Sequence, residues 1–108
     1  LAIEARALLG IINKLFKTDC HDPDAIDAAN TWAIIVEELS SYYQSALTLA
    51  IRYQSGMNLN KTGKILGVTR ACVCQRCERA MRHLRDPRRI NRIRNSILGL
   101  QNLYRHHL

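Results

Sequence analysis

The chain has 108 residues, 47% of them hydrophobic, and a formal net charge of +7. This length and composition fit one domain with a buried core and exclude a mostly disordered chain. Two prolines and five glycines are too few for the many turns of a β-sandwich, and no apolar run approaches the roughly 20 residues that cross a bilayer. We therefore expect a single all-α domain, residues 1–108, that is cytoplasmic and makes no membrane contact.

Charge is distributed unevenly along the chain. Residues 1–40 carry seven acidic against three basic side chains, a net of −4, whereas residues 41–108 carry thirteen basic against two acidic ones, a net of +11. Phosphate backbones attract such a basic surface because binding releases their counterions. The second half is therefore predicted to face double-stranded DNA, although a solvated arginine-rich helix face would give the same composition.

The four cysteines do not follow the pattern of a disulfide framework. Cys72, Cys74 and Cys77 lie within six residues of one predicted helix, and Cys20 stands apart. Structural zinc needs four tetrahedral ligands, but on a helix only Cys74 and Cys77 share a face. We expect free thiols, with Cys77 in the core and Cys72 and Cys74 exposed or near DNA. The sequence predicts neither a metal site nor a cofactor, and no arrangement of residues in it calls for an enzyme.

Hydrophobic periodicity predicts two helices in the N-terminal part, residues 1–40. The first runs from Leu1 to Lys17. Its inward stripe follows helical spacing and comprises Ala5, Leu8, Ile12 and Leu15. The second runs from Pro23 to Leu39, with Asp22 as N-cap and proline at the first helical position. Its predicted buried residues are Ala29, Trp32, Val36 and Leu39.

Three more helices are predicted in the central part, residues 41–87. One is capped by Ser40 or Ser41 and closed by Gly56. Its predicted inward residues are Tyr43, Leu47, Ala50 and Ile51. The other two, Leu59 to Leu66 and Arg70 to Arg85, are separated by three residues.

The C-terminal part, residues 88–108, is predicted to hold a basic amphipathic helix from Arg88 to Tyr104. Its apolar stripe comprises Ile90, Ile93, Ile97, Leu100 and Tyr104. A basic amphipathic helix can lie on a membrane surface, but here packing within the protein is the better interpretation. The sequence leaves two partners open for the stripe: the first helix of the same chain, or another molecule, namely a second copy in a homodimer or RNA polymerase.

Residues 58–70 have the physical parts of a helix-turn-helix. Asn58 can cap the first helix, and Thr69 can cap the second. Gly63 sits in mid-helix, where glycine costs about 1 kcal/mol relative to alanine, which is reasonable if the second helix approaches closely there. Gly67 suits the left-handed position that ends a helix, and Val68 is expected to fill the space between the two helices.

The match extends further, and the central part resembles region 4 of bacterial sigma factors. That family pairs an "LxLRYxxG" helix with a "GxILGVSR" turn, a "VRQ" recognition helix and a closing "LR.P". The residues that carry the resemblance are Leu49-Ala-Ile-Arg-Tyr53, Gly56, Leu59, Gly63, Ile65-Leu-Gly-Val-Thr-Arg70, Val73, Gln75 and Ala80-Met-Arg-His-Leu-Arg-Asp-Pro87.

The resemblance implies that the domain reads DNA and docks on RNA polymerase. In the family, region 4 reads the promoter −35 element and binds the polymerase flap. Arg70 and Gln75 match DNA-contacting positions, and Thr69 matches a phosphate contact. The basic second half of the recognition helix, with Arg79 and Arg82, would follow the DNA backbone. The full set of predicted DNA-binding residues is Lys61, Lys64, Thr69, Arg70, Cys74, Gln75, Arg76, Arg79 and Arg82.

Three residues at positions that contact DNA in the family depart from its pattern. Ala71 stands where the family has a glutamate that accepts from cytosine, and Cys72 and Cys74 stand where it has arginines, one of which reads guanine. A bidentate arginine–guanine contact contributes about 1–3 kcal/mol of discrimination, and a thiol cannot replace it. The chain is therefore not expected to read the standard −35 sequence.

Two functions from different classes follow from this pattern. The first is a DNA-binding transcription regulator, of bacterial or phage origin, that inserts helix 70–85 into a major groove and contacts RNA polymerase. The alternative is an antiterminator or protein-interaction module on RNA polymerase that keeps the fold but reads DNA less. Nothing in the sequence resembles the promoter-melting part of a sigma factor, so a complete sigma role is not expected.

Overall fold

The computed structural model describes residues 2–56 and 58–97. Within these ranges the fold is all-α, as predicted, and strands are absent. The six α-helices are α1 (Ala5–Phe16), α2 (Ala28–Glu38), α3 (Tyr43–Gln54), α4 (Leu59–Leu66), α5 (Arg70–Leu84) and α6 (Pro87–Ser96). None of the helices in this part of the chain is long and apolar enough to cross a membrane.

Helix α1 buries the predicted stripe. Leu8, Ile12 and Leu15 are almost fully enclosed, while Ala5 is half-buried because it lies at the helix start. The helix begins later than predicted, at Ala5, and ends at Phe16; Lys17, which follows it, adopts the left-handed conformation with φ 56°.

A polar side chain holds the loop that follows α1. The side-chain amide of Asn13 donates to the carbonyl of Cys20 over 2.8 Å, and its Oδ1 accepts from Thr18 Oγ1 over 2.8 Å and from Cys20 N over 3.1 Å. Because these bonds satisfy both backbone groups of Cys20 and the hydroxyl of Thr18, the loop can turn back across α1.

The prediction of one helix from Pro23 to Leu39 was wrong in its first half. Asp22 does act as a cap, accepting from Asp24 N over 3.0 Å, but the helix it starts is a single 3-10 turn, Pro23–Ala25. The chain extends at Ile26, and Asp27 then caps α2 by accepting from Asn30 N. Ile26 is buried, so enclosing its side chain breaks what would otherwise be a continuous helix.

The predicted inward face of the second helix was partly wrong for the same reason. Trp32 and Leu39 are buried as expected, and Val36 is half-buried, but Ala29 is exposed. The helix instead encloses Thr31 and Ile35. Helix α2 begins five residues later than predicted. Which of its sides faces inward is set by packing against the neighbouring helices.

Helix α3 also differs from its prediction. Neither Ser40 nor Ser41 caps it, because a 3-10 turn, Ser40–Tyr42, intervenes. Tyr43 is 56% exposed and not inward as predicted. The inward side runs along Ala46, Leu49 and Ala50, while Leu47 and Ile51 are half-buried. Gly56 follows the helix with φ 75°, which fits its predicted role in closing it.

The centre of the molecule lies around α3, which packs against α1 on one side and against α5 on another. Leu49 on α3 and Val73, Ala80 and Leu84 on α5 are almost completely enclosed there. The short helix α4 contacts both α3 and α5. This arrangement holds α5 by one side only and leaves its opposite side at the surface.

Helix α6 packs mainly on α2, so the first helix, one of the two partners that the sequence left open, is not its main neighbour in the described residues; contact with another molecule stays a prediction. Ile93 is fully buried, and Ser96 Oγ lies 3.3 Å from Thr31 Oγ1 across the interface. Contact with α1 is made by Arg94, whose guanidinium lies 5.4 Å from the centre of the Phe16 ring. Arg92 of α6 adds ion pairs with Glu37 and Glu38, near the end of α2, to the packing of α6 on α2. The predicted continuation to Leu100 and Tyr104 lies outside the described residues.

Candidate nucleic-acid interface

The turn between α4 and α5 has the geometry predicted for a helix-turn-helix. Asn58 Oδ1 accepts from Lys61 N over 2.9 Å at the start of α4, and Thr69 Oγ1 accepts from Cys72 N over 3.1 Å at the start of α5. Gly67 ends α4 in the left-handed conformation, with φ 70°. These three local choices fix where both helices begin and where the first one ends.

The close approach expected at Gly63 is present. A Cβ atom placed on Gly63 would lie 2.6 Å from the carbonyl oxygen of Val68, which is closer than real contacts allow. The Gly63 carbonyl accepts from Val68 N over 2.9 Å, and the half-buried Val68 packs against the core. The turn is therefore pressed against α4, and this sets the direction in which α5 leaves it.

Buried polar groups at the base of α4 are satisfied. Thr62 is fully buried; its hydroxyl donates to the carbonyl of Asn58 over 2.8 Å and lies 3.1 Å from Ser55 Oγ. A hydroxyl is tolerated at this core position because both contacts replace the hydrogen bonds that it would make with water. The contact with Ser55 also ties α4 to the end of α3.

Helix α5 has a buried side and an exposed side. Its buried side chains are Val73, Cys77, Ala80, Met81 and Leu84. Gln75, Arg79 and Arg82 are all exposed and follow one another at i, i+4 and i+7, so they lie along one stripe of the surface. Ala71 extends this stripe toward the helix start. The structure thus brings together three of the predicted DNA-binding residues on one helix face.

A second group of predicted residues surrounds the turn. Lys61, Lys64, Thr69 and Arg70 are exposed, and the last three line a shallow groove with Gly67 and Val68. This group adjoins the N-terminal end of the exposed α5 stripe, since Arg70 is the first residue of that helix. Together they form a continuous basic surface.

Two predicted residues are less accessible than the others. Cys74 and Arg76 are half-buried and lie on the two flanks of α5, because their neighbours Val73 and Cys77 turn toward the core. Their assignment to DNA binding stays a prediction, as it does for the remaining residues of the set.

The C-terminal end of α5 gathers further residues that the sequence-based prediction left out. The Arg79 guanidinium lies 6.0 Å from the centre of the Tyr42 ring, and Tyr42 meets the His83 ring edge-on at 4.9 Å. Arg85 and Arg89 line the same depression. The density of arginine after residue 78 was a signal for these positions, but the approach of Tyr42 depends on the 3-10 turn before α3.

His83 connects α5 to α2. Its side chain is half-buried, and Nε2 lies 3.0 Å from the carbonyl oxygen of Glu38. The contact ties α5 to the end of α2. The helix end supplies a carbonyl without an intrahelical partner, which a histidine N–H can satisfy.

The cysteines are free thiols in the described structure. Cys77 is buried beside Val73 and Ala80, as predicted, and burial raises the pKa of its thiol while the neighbouring Arg52 guanidinium offsets part of the rise. Within residues 2–56 and 58–97, no group of three or more histidine, cysteine or acidic side chains is placed to hold a metal ion.

Comparison with known protein families finds a match in this region of the chain. Residues 44–86 match the family model described as Sigma-70, region 4. The matched segment covers α3 from its second residue, all of α4 and α5, and the turns between them. No curated protein and no solved structure matches the chain. The family is one of DNA-binding regulatory domains.

Proposed function

Residues 44–86 of this chain form a sigma region 4-like helix-turn-helix, and from this premise we propose that the protein is a transcription regulator that inserts α5 into a major groove of DNA and contacts RNA polymerase. The observation that carries the proposal is the exposed stripe of Gln75, Arg79 and Arg82 on a helix whose opposite side is buried in the core. A recognition helix must present an accessible face to the groove in this way.

The charges around α5 favour a nucleic-acid partner. Glu78 is the one acidic side chain in α5, against Arg70, Arg76, Arg79 and Arg82. The lysines at positions 61 and 64 extend the basic surface across the turn. Such a surface supplies phosphate contacts on both sides of a groove, and these position the protein without reading sequence.

Base reading depends on few side chains in this proposal. Gln75 lies at the centre of the exposed stripe, and glutamine can form a bidentate pair with adenine. Arg70, at the first position of α5, reaches either guanine or a phosphate. Ala71 is exposed but offers no hydrogen-bonding group, so sequence preference rests on Gln75, on Arg70 and on DNA shape.

The contact with RNA polymerase is supported by the family alone. Region 4 domains bind polymerase as well as DNA, and residues 44–86 match the sequence model of that family. A purified bacterial core polymerase that retains this chain without DNA supports the contact. Retention combined with absence of any DNA binding would instead favour a protein-interaction module.

The experiment that tests the proposal begins with selection of bound sequences from a random duplex pool. We expect Gln75→Ala to relax the preference at one or two base pairs and to weaken the best site by about 1–3 kcal/mol, because alanine cannot form the bidentate pair with a base. Binding to a scrambled duplex should barely change. Arg70→Ala should weaken both duplexes alike if Arg70 holds a phosphate.

A matched control is available on α3. Gln44 is exposed and lies outside the α5 stripe, so Gln44→Ala should leave both affinity and preference unchanged. If Gln75→Ala keeps the full preference for the selected site, α5 does not read bases as proposed.

A further inference from the structure

A cleft of about 360 Å³ opens on the flank of α5, between that helix, α1 and α3. Four cationic side chains from three helices and the end of α5 line it: Lys14, Arg52, Arg82 and Arg85. Only Arg82 among them also belongs to the exposed α5 stripe. The cleft is therefore a second basic feature, enclosed by the core helices and distinct from the helix face that the proposed function uses.

The floor of this cleft is apolar. Leu49 and Met81 are buried core residues that reach it, together with Tyr53 and Cys77. Burial raises the pKa of the Tyr53 phenol and of the Cys77 thiol, so both groups are neutral at neutral pH. A ligand in the cleft would meet an uncharged floor and a cationic rim.

The cations of the rim lack acidic partners. None of the ion pairs among residues 2–56 and 58–97 involves Lys14, Arg52, Arg82 or Arg85. Arg85 donates to the carbonyl of Lys14 over 3.5 Å, a weak contact. Glu78 is the single acidic side chain in the lining. The rim thus carries a net positive charge that the protein itself leaves unbalanced.

One donor atom of Arg52 lacks a partner within the protein. Its Nε is buried and has no hydrogen-bond partner in the described structure. A buried donor without a partner is costly, and such groups are uncommon in folded proteins. Guanidinium groups bind carboxylates and phosphates with two parallel N–H donors, one of which is often Nε. A small turn of the Arg52 side chain toward the cleft would give its Nε such a partner.

We propose that this cleft binds a small organic anion, with its carboxylate or phosphate head on Arg52 and Arg85 and its apolar body against Leu49 and Met81. The volume falls within the range of about 300–1,000 Å³ typical of small-molecule sites. Such sites combine a mainly apolar lining with a few convergent polar groups, which is the distribution found here. The site goes beyond DNA binding and does not depend on it.

The test is a titration of the intact chain with four anions, followed by backbone-amide NMR. Benzoate and phenyl phosphate carry an apolar body, whereas acetate and inorganic phosphate do not. We expect one of the first two to bind at one site and to shift the amide signals of Tyr53 and Met81. The better of the two identifies the head group, and the anions without an apolar body should bind at least about tenfold more weakly, since they leave the apolar floor uncovered.

Substitutions then locate the site. Arg85→Gln and Arg52→Met should each weaken the best anion about tenfold, because each removes a charge-assisted hydrogen bond. Arg88→Gln is the matched control, since Arg88 is exposed on α6 and does not line the cleft. If Arg52→Met fails to fold, Arg85→Gln decides.

Equal binding of all four anions, or equal weakening by Arg88→Gln, would overturn the proposal. So would an Arg85→Gln variant that loses DNA affinity while its anion binding is unchanged, because the cleft would then serve only a DNA phosphate.

Discussion

At the scale of single residues, glycine at position 63 decides how the turn meets α4. Its missing side chain leaves room for the carbonyl of Val68, which would otherwise lie 2.6 Å from a Cβ atom. That carbonyl belongs to the backbone and cannot swing aside as a flexible side chain could. The intrinsic helix propensity of alanine therefore competes with a steric conflict at this position.

We expect Gly63→Ala to destabilise the protein, by up to about 2 kcal/mol. The better helix propensity of alanine contributes about 1 kcal/mol, but relieving the overlap with Val68 requires a backbone shift that costs more, at about 1–3 kcal/mol. Urea unfolding followed by circular dichroism measures the difference.

The control for this substitution is Asn60→Ala, at an exposed position of the same helix. It should leave stability unchanged or raise it slightly, because propensity then acts without a clash. A Gly63→Ala variant as stable as Asn60→Ala would show that α4 and the turn can separate at no cost.

At the scale of the element, α5 divides its residues between two tasks. Val73, Ala80 and Leu84 hold the helix in the core, whereas in the exposed stripe Arg79 contacts the ring of Tyr42 and Gln75 makes no comparable contact with the core among the described residues. Substitutions on the stripe should therefore change binding much more than they change folding. This separation lets the two effects be measured independently.

Arg79 and Arg82 should contribute to DNA affinity without contributing to preference. The double substitution Arg79→Ala and Arg82→Ala should reduce the slope of log K against log salt by about 0.9 for each phosphate that the variant no longer neutralises, and should weaken all duplex sequences alike. Equilibrium binding at several salt concentrations gives the slope.

Arg6→Ala serves as the control for this pair, since Arg6 is exposed on α1, away from α5. Its slope should match that of the unsubstituted protein. A double variant whose slope is also unaltered would mean that the basic stripe does not meet DNA.

At the scale of the whole molecule, α2 and α6 connect the N-terminal and C-terminal parts around the helix-turn-helix. Arg92 of α6 pairs with Glu37 and Glu38 of α2 at 3.1 and 3.3 Å, and hydrogen bonding with those two acids raises its pKa. Since exposed ion pairs add little stability, the fully buried Ile93 is the stronger tie between the parts. We propose that the described residues therefore unfold as one domain.

Ile93→Ala tests this cooperativity. Removing the buried side chain should cost about 2–5 kcal/mol, and it should shift the unfolding midpoint seen by Trp32 fluorescence and the midpoint seen by circular dichroism together. Trp32 is buried on α2, whereas circular dichroism reports on all helices. Asn95→Ala, at an exposed site on α6, should leave both midpoints in place. Two separated transitions would contradict a single cooperative unit.

Local chemistry in the sequence was sufficient for the helix-turn-helix. The bounds of α4 were predicted without error, and α5 was predicted to within one residue at its end. Each signal there acts over a few residues: Asn58 and Thr69 accept from the third residue beyond them, and Gly67 needs only its own left-handed conformation. Such short-range effects can be read from the sequence because no distant group takes part.

The tertiary structure decided those helix starts and buried faces that depend on which distant parts of the chain pack together. Asp22 and Asp27 are both good caps, and the burial of Ile26 determines which of them starts α2. The exposure of Tyr43 was likewise unpredictable, because periodicity gives a stripe but not the helix that covers it.

The cleft beside α5 belongs to the same class of feature. The sequence by itself determined the fold class, the helix-turn-helix and the basic character of the second half, since these follow from composition, spacing and local capping. Only the packing of α1, α3 and α5 brought Lys14, Arg52 and Arg85 around one apolar floor. Residues separated by dozens of positions meet there because the whole core packs together, and no local sequence pattern predicts that packing.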